Sequence, residues 1–239
     1  MDKLNNLRQK IRSLKRVTVS FSGGVDSTLV SKVAYDELGG QALAVTVKTE
    51  FITEDEILYA VNIAKDIGIK HKIVYVSLLD DEIIAKNPAD RCYFCKLNIL
   101  ENLPGKIILD GTNADDDPGR PGMQALEELG INSPLKECGI TKQEVREIAK
   151  KLGLNNHSKP ANSCLATRIP FNENVTKEKL KQVEEAESEL ISLGIYGARA
   201  RLNNEGFCLE IPEKYRNIYE TKKDSVENKI KFPVNVKWT

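Results

Sequence analysis

The sequence predicts an α/β protein with a doubly wound parallel sheet, followed by a small C-terminal α+β appendage. Short apolar, β-branched runs alternate with longer segments of helical periodicity, as in chains that build parallel sheets. The runs that predict strands are 17–21, 42–47, 71–76, 106–109 and, at the sheet edge, 131–135. Thr53 and Thr141 each stand three residues before a glutamate, which marks a helix start. Gly39, Gly68 and Gly153 follow helical segments, where glycine ends a helix.

The remainder of the chain predicts a different organisation. Residues 155–174 form a long loop rich in Pro, Asn and Ser, and such loops in compact domains are usually functional or disordered. One helix and three short strands are expected after it, at 176–193, 198–202, 207–211 and 232–238. Residues 222–231 are polar and predict a loosely ordered segment. The expected domains are residues 1–172 and 173–239, the second for substrate binding or oligomerisation.

Composition indicates a globular chain without a bulk charge. Among 239 residues, 35 basic and 35 acidic side chains cancel, so no overall field favours nucleic acid. No run approaches the ~20 apolar residues of a membrane span. Residues 1–7 read as a polar amphipathic helix and not as a signal peptide, so we expect a cytoplasmic protein. Five cysteines in such a chain favour metal or redox chemistry over disulfides.

A glycine-containing loop follows the first predicted strand, where residues 22–27 read Ser-Gly-Gly-Val-Asp-Ser. The glycines permit a sharp turn that brings backbone N–H groups close to an anion. Asp26 or Ser27 can begin a helix whose N-terminal dipole favours negative charge at the same place. The loop therefore predicts a phosphate site, although neither common glycine-rich phosphate motif is present. A second loop, 110–117, follows the fourth strand at the edge where open α/β sheets bind ligands.

Three of the five cysteines lie in contexts that suggest chemistry. Cys92 and Cys95 form a Cys-x-x-Cys pair, which suits a redox pair, half of a zinc site or part of an iron–sulfur site. Cys164 lies in the long loop with an arginine four residues later, an environment typical of a reactive thiolate. The three thiolates could hold a [4Fe–4S] cluster with one iron open to external sulfide. Cys138 and Cys208 are interpreted as structural, although either could supply a fourth ligand.

The loop at 22–27 resembles the PP-loop of ATP pyrophosphatases, which have a HUP-like fold, cleave ATP between its α and β phosphates and adenylate a substrate. Residues 110–116, 120–122 and 164–170 follow this loop along the chain. The four segments, in that order, resemble the LarE family of ATP-dependent sulfur transferases. These enzymes make pyridinium-3,5-bisthiocarboxylic acid mononucleotide, the organic part of a nickel-pincer cofactor. The resemblance extends to about residue 201.

The resemblance implies roles for individual residues. ATP would be bound, with Mg²⁺ at the aspartate, by Ser22, Gly23, Gly24, Asp26, Ser27, Gly111, Thr112 and Asn113. Cys164 and Asp26 would be catalytic, and a phosphate-bearing acceptor would contact Arg168, Arg199, Arg201 and Glu187. In one version of the family, the cysteine matching Cys164 gives up its own sulfur. In the other version, that cysteine joins a Cys-x-x-Cys pair to hold a [4Fe–4S] cluster. Cys92 and Cys95 match this pair, so the chain resembles the cluster-bearing version.

Other functions stay open at this level. A tRNA thiolase of the PP-loop class also uses three cysteines, but it should carry a basic RNA-binding patch or a zinc module. An amide-forming synthetase would not need the cysteines, and a nucleotide sensor would bind ATP without releasing pyrophosphate. We expect a small nucleotide-type acceptor, no membrane association and, from the resemblance, a homo-oligomer. Residues 202–206 depart from the family's His-His-Gly-Asp, which leaves the acceptor's identity open.

Overall fold

The structure is a computed structural model that describes residues 2–160, 162–203, 205–230 and 232–239. It divides into two compact units, Met1–Ser77 with Asp90–Asn162, and Leu78–Ala89 with Ser163–Thr239. The second unit therefore begins before the expected boundary at 172/173 and also includes a segment from the middle of the chain. The proposed functional division into 1–172 and 173–239 stays a prediction.

A four-stranded parallel sheet forms the centre of the first unit. Its strands are β1 (Val17–Ser20), β2 (Ala42–Lys48), β3 (Lys70–Tyr75) and β4 (Ile108–Leu109), in the order β3-β2-β1-β4. Val17 lies opposite Ala42 in the register of the two central strands, and Thr18 lies opposite Ile108. Parallel neighbours joined through helices confirm the predicted doubly wound α/β class.

The described residues contain ten α-helices, the first of which precedes β1. They are α1 (Lys3–Ser13), α2 (Val25–Leu38), α3 (Glu54–Ile67), α4 (Glu82–Ala85), α5 (Arg91–Glu101), α6 (Pro121–Glu128), α7 (Pro134–Glu137), α8 (Lys142–Lys151), α9 (Lys177–Ser192) and α10 (Arg216–Ile230). The expected glycine stops are confirmed: Gly39 and Gly68 are the C-caps of α2 and α3, and Gly153, with a φ of +72°, follows the C-cap of α8. None of the described helices is both long and apolar enough to cross a membrane.

The sheet of the first unit is covered on both faces. Strand β2 shows the division, because Ala42 and Ala44 point into one apolar cluster and Val45 and Val47 into another. The larger cluster is built mainly from α1, α2, α3 and α8, and the smaller one from α5 and α6. This packing fixes the carboxyl ends of the strands, and with them the loops that follow β1 and β4.

The expected fifth strand at 131–135 is wrong. Only one bridge forms, between Leu109 and Asn132, and two residues later Pro134 begins α7. Proline has no N–H for a strand ladder, whereas its fixed φ suits the first turn of a helix. Asn132 still accepts a hydrogen bond from the Asp110 N–H at 3.0 Å, so this segment holds the loop after β4 in place.

The second unit contains a three-stranded mixed sheet. Strands β5 (Arg199–Asn203) and β6 (Gly206–Ile211) are antiparallel, and β7 (Val234–Trp238) runs parallel to β6. The expected three short strands are therefore confirmed. The expectation of a loosely ordered segment at 222–231 is wrong for 222–230, which belong to α10, and residue 231 lies outside the described residues. Tyr219, Val226 and Ile230 give α10 one buried face, which a low average hydrophobicity concealed.

Candidate functional site

The PP-loop connects β1 to α2 through two glycines. Gly24 is the N-cap of α2, so the helix begins before Asp26 and Ser27, and both lie in its first turn. Gly23 has a φ of +72°, and a Cβ there would lie 3.0 Å from the Ala60 Cα of α3. Only glycine suits that combination of backbone angle and space. The loop thus presents the N–H groups of a helix start, which have no partner within the helix, at the carboxyl edge of the sheet.

The loop after β4 forms the second wall of this site. A Cβ at Gly111 would lie 2.8 Å from the Ser27 backbone nitrogen, so the two loops touch through backbone atoms. Asn113 follows, and its Nδ2 donates to Asp26 Oδ1 at 3.3 Å. The structure therefore brings the predicted nucleotide residues of the two loops together.

Thr112 has a different set of contacts from the one expected. Its side chain is buried, and its hydroxyl donates to the carboxylate of Asp110. The same carboxylate accepts from the Thr112 N–H at 3.1 Å and from Ser133 Oγ at 2.7 Å, and Lys96 Nζ lies 3.7 Å away. Thr112 thus holds the shape of the loop, because its N–H and hydroxyl both donate to Asp110 and its carbonyl accepts the Lys136 N–H at 3.1 Å.

A lysine that the sequence reasoning missed completes the site. Lys142 is the first residue of α8, and its ammonium group forms an ion pair with Asp26 Oδ2. Its backbone N–H donates to Asp115 Oδ2 at 2.8 Å, and the capping box of Thr141 and Glu144 fixes the helix start. The available signal is its place directly after that capping threonine, which by itself predicts only a helix boundary.

A buried asparagine also contacts the PP-loop and the start of α2. Asn156 is 2% exposed, and its Nδ2 donates to the Gly23 carbonyl at 2.9 Å and to Thr28 Oγ1 at 2.8 Å. Sequence reasoning placed Asn156 only within a long polar loop. Nothing local to residues 155–160 indicates a contact with a loop more than a hundred residues earlier.

Cys92 and Cys95 lie one turn apart on α5 in the first unit. Residues three apart share one face of a helix, so both thiols are directed to the same side. Cys92 is exposed and Cys95 is partly buried. Lys96, the next residue, is the one that reaches Asp110, so α5 is tied to the loop after β4.

Cys164 lies in the second unit, where it is the N-cap of a short 3₁₀ helix, Leu165–Arg168. Its carbonyl accepts hydrogen bonds from the Thr167 N–H at 3.0 Å, from Thr167 Oγ1 at 2.7 Å and from Arg168 Nη1 at 3.2 Å. Three donors on one carbonyl fix the backbone of the cysteine, so its side chain starts from a defined position.

Arg168 is almost completely buried, and the protein itself uses its guanidinium group. It forms a two-bonded ion pair with Glu187, and Nη1 also donates to Ser163 O at 2.8 Å, Ser163 Oγ at 2.9 Å and Thr167 Oγ1 at 2.8 Å. Glu187 in turn accepts the N–H of Ala200 at 3.0 Å. These contacts favour a supporting role for the pair over direct contact with a substrate phosphate.

Arg199 and Arg201 stand on alternate positions of β5 and therefore share one face. Arg201 is exposed, and its Nη1 donates to Thr167 O at 2.9 Å. Its Nη2 lies 2.9 Å from Glu210 Oε2, a hydrogen bond that raises the pKa of Arg201 and lowers the pKa of Glu210. The second unit thus places the arginine-bearing strand β5 beside the loop that carries Cys164.

No disulfide joins the five cysteines, all of which lie in the described ranges. Cys138 is the C-cap of α7, and burial raises the pKa of its thiol, while Cys208 lies on β6 opposite Arg201. Within the part of the chain that is described, no three His, Cys, Asp or Glu side chains are grouped closely enough to hold a metal ion.

Comparison with known proteins places these features in context. The asparagine synthase family model matches residues 5–87, which include the PP-loop. An uncharacterised protein of Synechocystis is 42% identical over 88% of this chain and 81% of its own length. A protein of Lactiplantibacillus plantarum named pyridinium-3,5-bisthiocarboxylic acid mononucleotide synthase is 37% identical over 85% of this chain and 77% of its length. An uncharacterised protein of Methanocaldococcus jannaschii is 33% identical over 93% of this chain and 88% of its own length.

Proposed function

The chain belongs to the LarE family of ATP-dependent sulfurtransferases, and on that premise we propose that it converts a carboxylate of a small nucleotide-type acceptor into a thiocarboxylate. The observation that carries this proposal is the convergence of Asn113 and Lys142 on Asp26 in the PP-loop. The Lys142 ammonium and the Asn113 amide are hydrogen-bond donors beside the Asp26 carboxylate. Backbone N–H groups at the start of α2 can bind phosphates at the same place.

The proposed reaction has two steps. The acceptor carboxylate attacks the α-phosphate of ATP, which forms an acyl-adenylate and releases pyrophosphate. Hydrosulfide then attacks the acyl carbon, and the carbon–oxygen bond to AMP breaks, leaving a thiocarboxylate, AMP and a proton. Activation is needed because a carboxylate oxygen is a poor leaving group. The N-terminal amides of α2 and the Lys142 ammonium would stabilise the departing pyrophosphate.

Asp26 fits a role in holding Mg²⁺. Its carboxylate lies in the first turn of α2, partly exposed, and provides the hard oxygen donors that this ion prefers. A bound Mg²⁺ would neutralise charge on the phosphates. Because Lys142 occupies Asp26 Oδ2, we propose that nucleotide binding transfers the lysine from this carboxylate to a phosphate.

For the sulfur source we propose a [4Fe–4S] cluster held by Cys92, Cys95 and Cys164. The support is the donor set: two thiols one turn apart on α5, and a third in a loop with a fixed backbone. When bound, such a cluster supplies sulfide. The proposal requires all three thiolates to reach one cluster, which makes each cysteine a separate test.

For the acceptor we propose the pyridinium biscarboxylic acid mononucleotide from which the product named for the L. plantarum relative would form. Arg199 and Arg201 would bind its phosphate, because they share one face of β5 and Arg201 is exposed. Arg168 and Glu187 would support that strand and the cysteine loop. Self-association and a cytoplasmic location stay predictions.

The decisive experiment is an anaerobic assay with ATP, sulfide and that acceptor. Mass spectrometry would follow acceptor and protein, alongside iron and zinc content. We expect repeated thiolation with AMP and pyrophosphate release, and the visible absorption of an iron–sulfur cluster. Cys92→Ala and Cys164→Ala should lose both the cluster and turnover, while the matched control Cys208→Ala keeps them.

Two outcomes would overturn the cluster. A protein lighter by one H₂S after a single thiolation would identify Cys164 as a sacrificial sulfur donor. Stoichiometric zinc in colourless, anaerobically purified protein would assign the cysteines to a structural metal. If tRNA is thiolated and no small acceptor is, the protein is a tRNA thiolase and the proposed acceptor is wrong.

A further inference from the structure

The peptide between Gly23 and Gly24 joins the two glycines of the PP-loop. Gly23 has a φ of +72° and Gly24 a φ of −70°. Turning a peptide plane over changes ψ of the residue before it and φ of the residue after it. Glycine accepts both signs of φ at little cost, so a Gly–Gly peptide can adopt either orientation. An external contact is therefore needed to select one.

Asn156 supplies that contact. Its Nδ2 donates to the Gly23 carbonyl at 2.9 Å, and the side chain is 2% exposed, so water does not compete. A second hydrogen bond at 2.8 Å, to Thr28 Oγ1, anchors the same amide group to α2. Thr28 is fully buried, so the anchor is as fixed as the helix.

The orientation of this carbonyl determines that of the next N–H. In a planar trans peptide the C=O and N–H bonds point in opposite directions. With the Gly23 carbonyl held towards the buried Asn156, the Gly24 N–H is directed to the other side of the loop, where Ser22 is exposed. Its contact there, to Ser22 Oγ, is long at 3.3 Å, so a phosphate oxygen could replace it.

We propose that Asn156 is a positioning residue for ATP, which keeps the Gly24 N–H directed at the phosphates. The inference rests on the proposed function only in taking ATP as the ligand of this loop. Packing alone accounts poorly for Asn156, because its buried Oδ1 has no hydrogen-bond partner among the described residues. An apolar side chain would avoid that desolvation, whereas an amide donor is what the Gly23 carbonyl requires.

The test compares ligands with and without the β- and γ-phosphates. Asn156→Ala removes the donor, and Asn156→Asp places an acceptor against the Gly23 carbonyl. We expect both to weaken ATP binding at least about tenfold, the effect of losing a charge-assisted hydrogen bond. AMP binding should change less than about twofold, which is well below that effect. The exposed neighbour gives the matched control Asn155→Ala, which should leave both affinities unchanged.

A second-site variant separates peptide orientation from packing. Gly24→Ala is compatible with the present φ of −70°, and its Cβ would meet only Ser22 Oγ, at 3.3 Å. The reversed peptide needs a positive φ at residue 24, which alanine resists. We therefore expect the double variant with Asn156→Ala to recover ATP affinity, measured against Gly24→Ala alone.

Calorimetric titration with thermal unfolding distinguishes the outcomes. Wild-type ATP affinity in both Asn156 variants would overturn the inference. Equal losses for ATP and AMP, a lower melting temperature and no recovery with Gly24→Ala would assign Asn156 to packing and also overturn it. If the wild-type protein itself does not bind ATP, the proposed function fails first. Selective loss of ATP with recovery in the double variant would support the inference.

Discussion

Arg168 and Glu187 form a two-bonded ion pair, with Nε 2.7 Å from Oε1 and Nη2 3.0 Å from Oε2. Their side chains are only 1% and 14% exposed. Arg168 also donates to the carbonyl of Cys164, and Glu187 also accepts the N–H of Ala200 in β5. The pair therefore joins the cysteine loop to the strand that carries the exposed arginine, and sets their separation.

Glu187→Gln should be strongly destabilising. It leaves the buried Arg168 guanidinium without its counter-charge, and breaking a buried pair in this way costs about 3–5 kcal/mol. The matched control is Glu189→Gln on the same helix, whose partner Lys229 is 61% exposed, so that loss should stay below about 1 kcal/mol. Urea unfolding measures both. Equal losses would show that the Arg168 pair contributes no more than a surface contact.

Arg168→Lys should not restore what Arg168 provides. A lysine ammonium is a point charge and cannot bond both oxygens of Glu187 while also reaching Ser163 and Thr167. We expect reduced stability and a changed rate of alkylation at Cys164, because the carbonyl of that residue loses one donor. An unchanged alkylation rate would mean that the remaining Thr167 contacts suffice to hold the loop.

Asp26→Asn should abolish most pyrophosphate release. The change removes the charge that would hold Mg²⁺ and that pairs with Lys142, so we expect a loss of at least about 100-fold in turnover. Asp36→Asn lies on the same helix with its own lysine partner, Lys32, and serves as the control. A coupled pyrophosphate assay compares the two. Comparable activity in both variants would remove Asp26 from the catalytic site.

Gly111→Ala should damage the nucleotide site through backbone crowding. The new Cβ would lie 2.8 Å from the Ser27 nitrogen and 3.1 Å from Asp26 Cβ, so the loops must separate. Overpacking of this kind costs about 1–3 kcal/mol, and ATP affinity should fall as well. Gly40→Ala is the control, since its nearest neighbour is Lys70 Nζ at 3.9 Å. Thermal unfolding with and without ATP provides the measurement.

Tyr219→Phe should reduce the decrease in the free energy of unfolding that occurs at alkaline pH. Burial raises the pKa of Tyr219 to about 12, so the fold favours the neutral phenol. That contribution is complete below the unfolded pKa of about 10 and is lost as pH rises towards the folded value. Near neutral pH the change should cost little or stabilise, because Oη has no hydrogen-bond partner among the described residues.

Urea unfolding at about pH 8 and about pH 11 tests the Tyr219 prediction, since the two values bracket the pKa of a free tyrosine. Tyr196→Phe is the matched control, because that side chain is 61% exposed and should respond as the wild type does. A Tyr219→Phe protein that loses as much stability at high pH as the wild type would contradict the burial argument.

Local signals explain what could be predicted. Strand β1, the two glycines and the start of α2 lie within a dozen residues, so composition and spacing suffice to define the PP-loop. The expected strand at 131–135 failed because apolar residues suggested a run, while Pro134 prevented the ladder from continuing. Average polarity predicts a loosely ordered segment at 222–230, whereas the spacing of Tyr219, Val226 and Ile230 puts them on one face of a helix.

Contacts between distant segments explain what was missed. Lys142 reaches Asp26 and Asn156 reaches Gly23 only because the fold returns α8 and the segment after it to the PP-loop. The position of Arg168 four residues after Cys164 marks it as a candidate, but its contacts depend on Glu187, nineteen residues later. A sequence motif identifies the residue type and leaves open whether that residue meets solvent or a counter-charge.

The central sheet of the first unit has consequences for solubility as well as for the nucleotide site. Unpaired backbone groups on an edge strand can recruit another chain and start aggregation. Edge strand β4 is only two residues long, and Pro134 ends the pairing beside it. At the opposite edge, β3 carries the exposed Lys70 and Lys72. Both edges thus discourage strand addition, by brevity on one side and positive charge on the other.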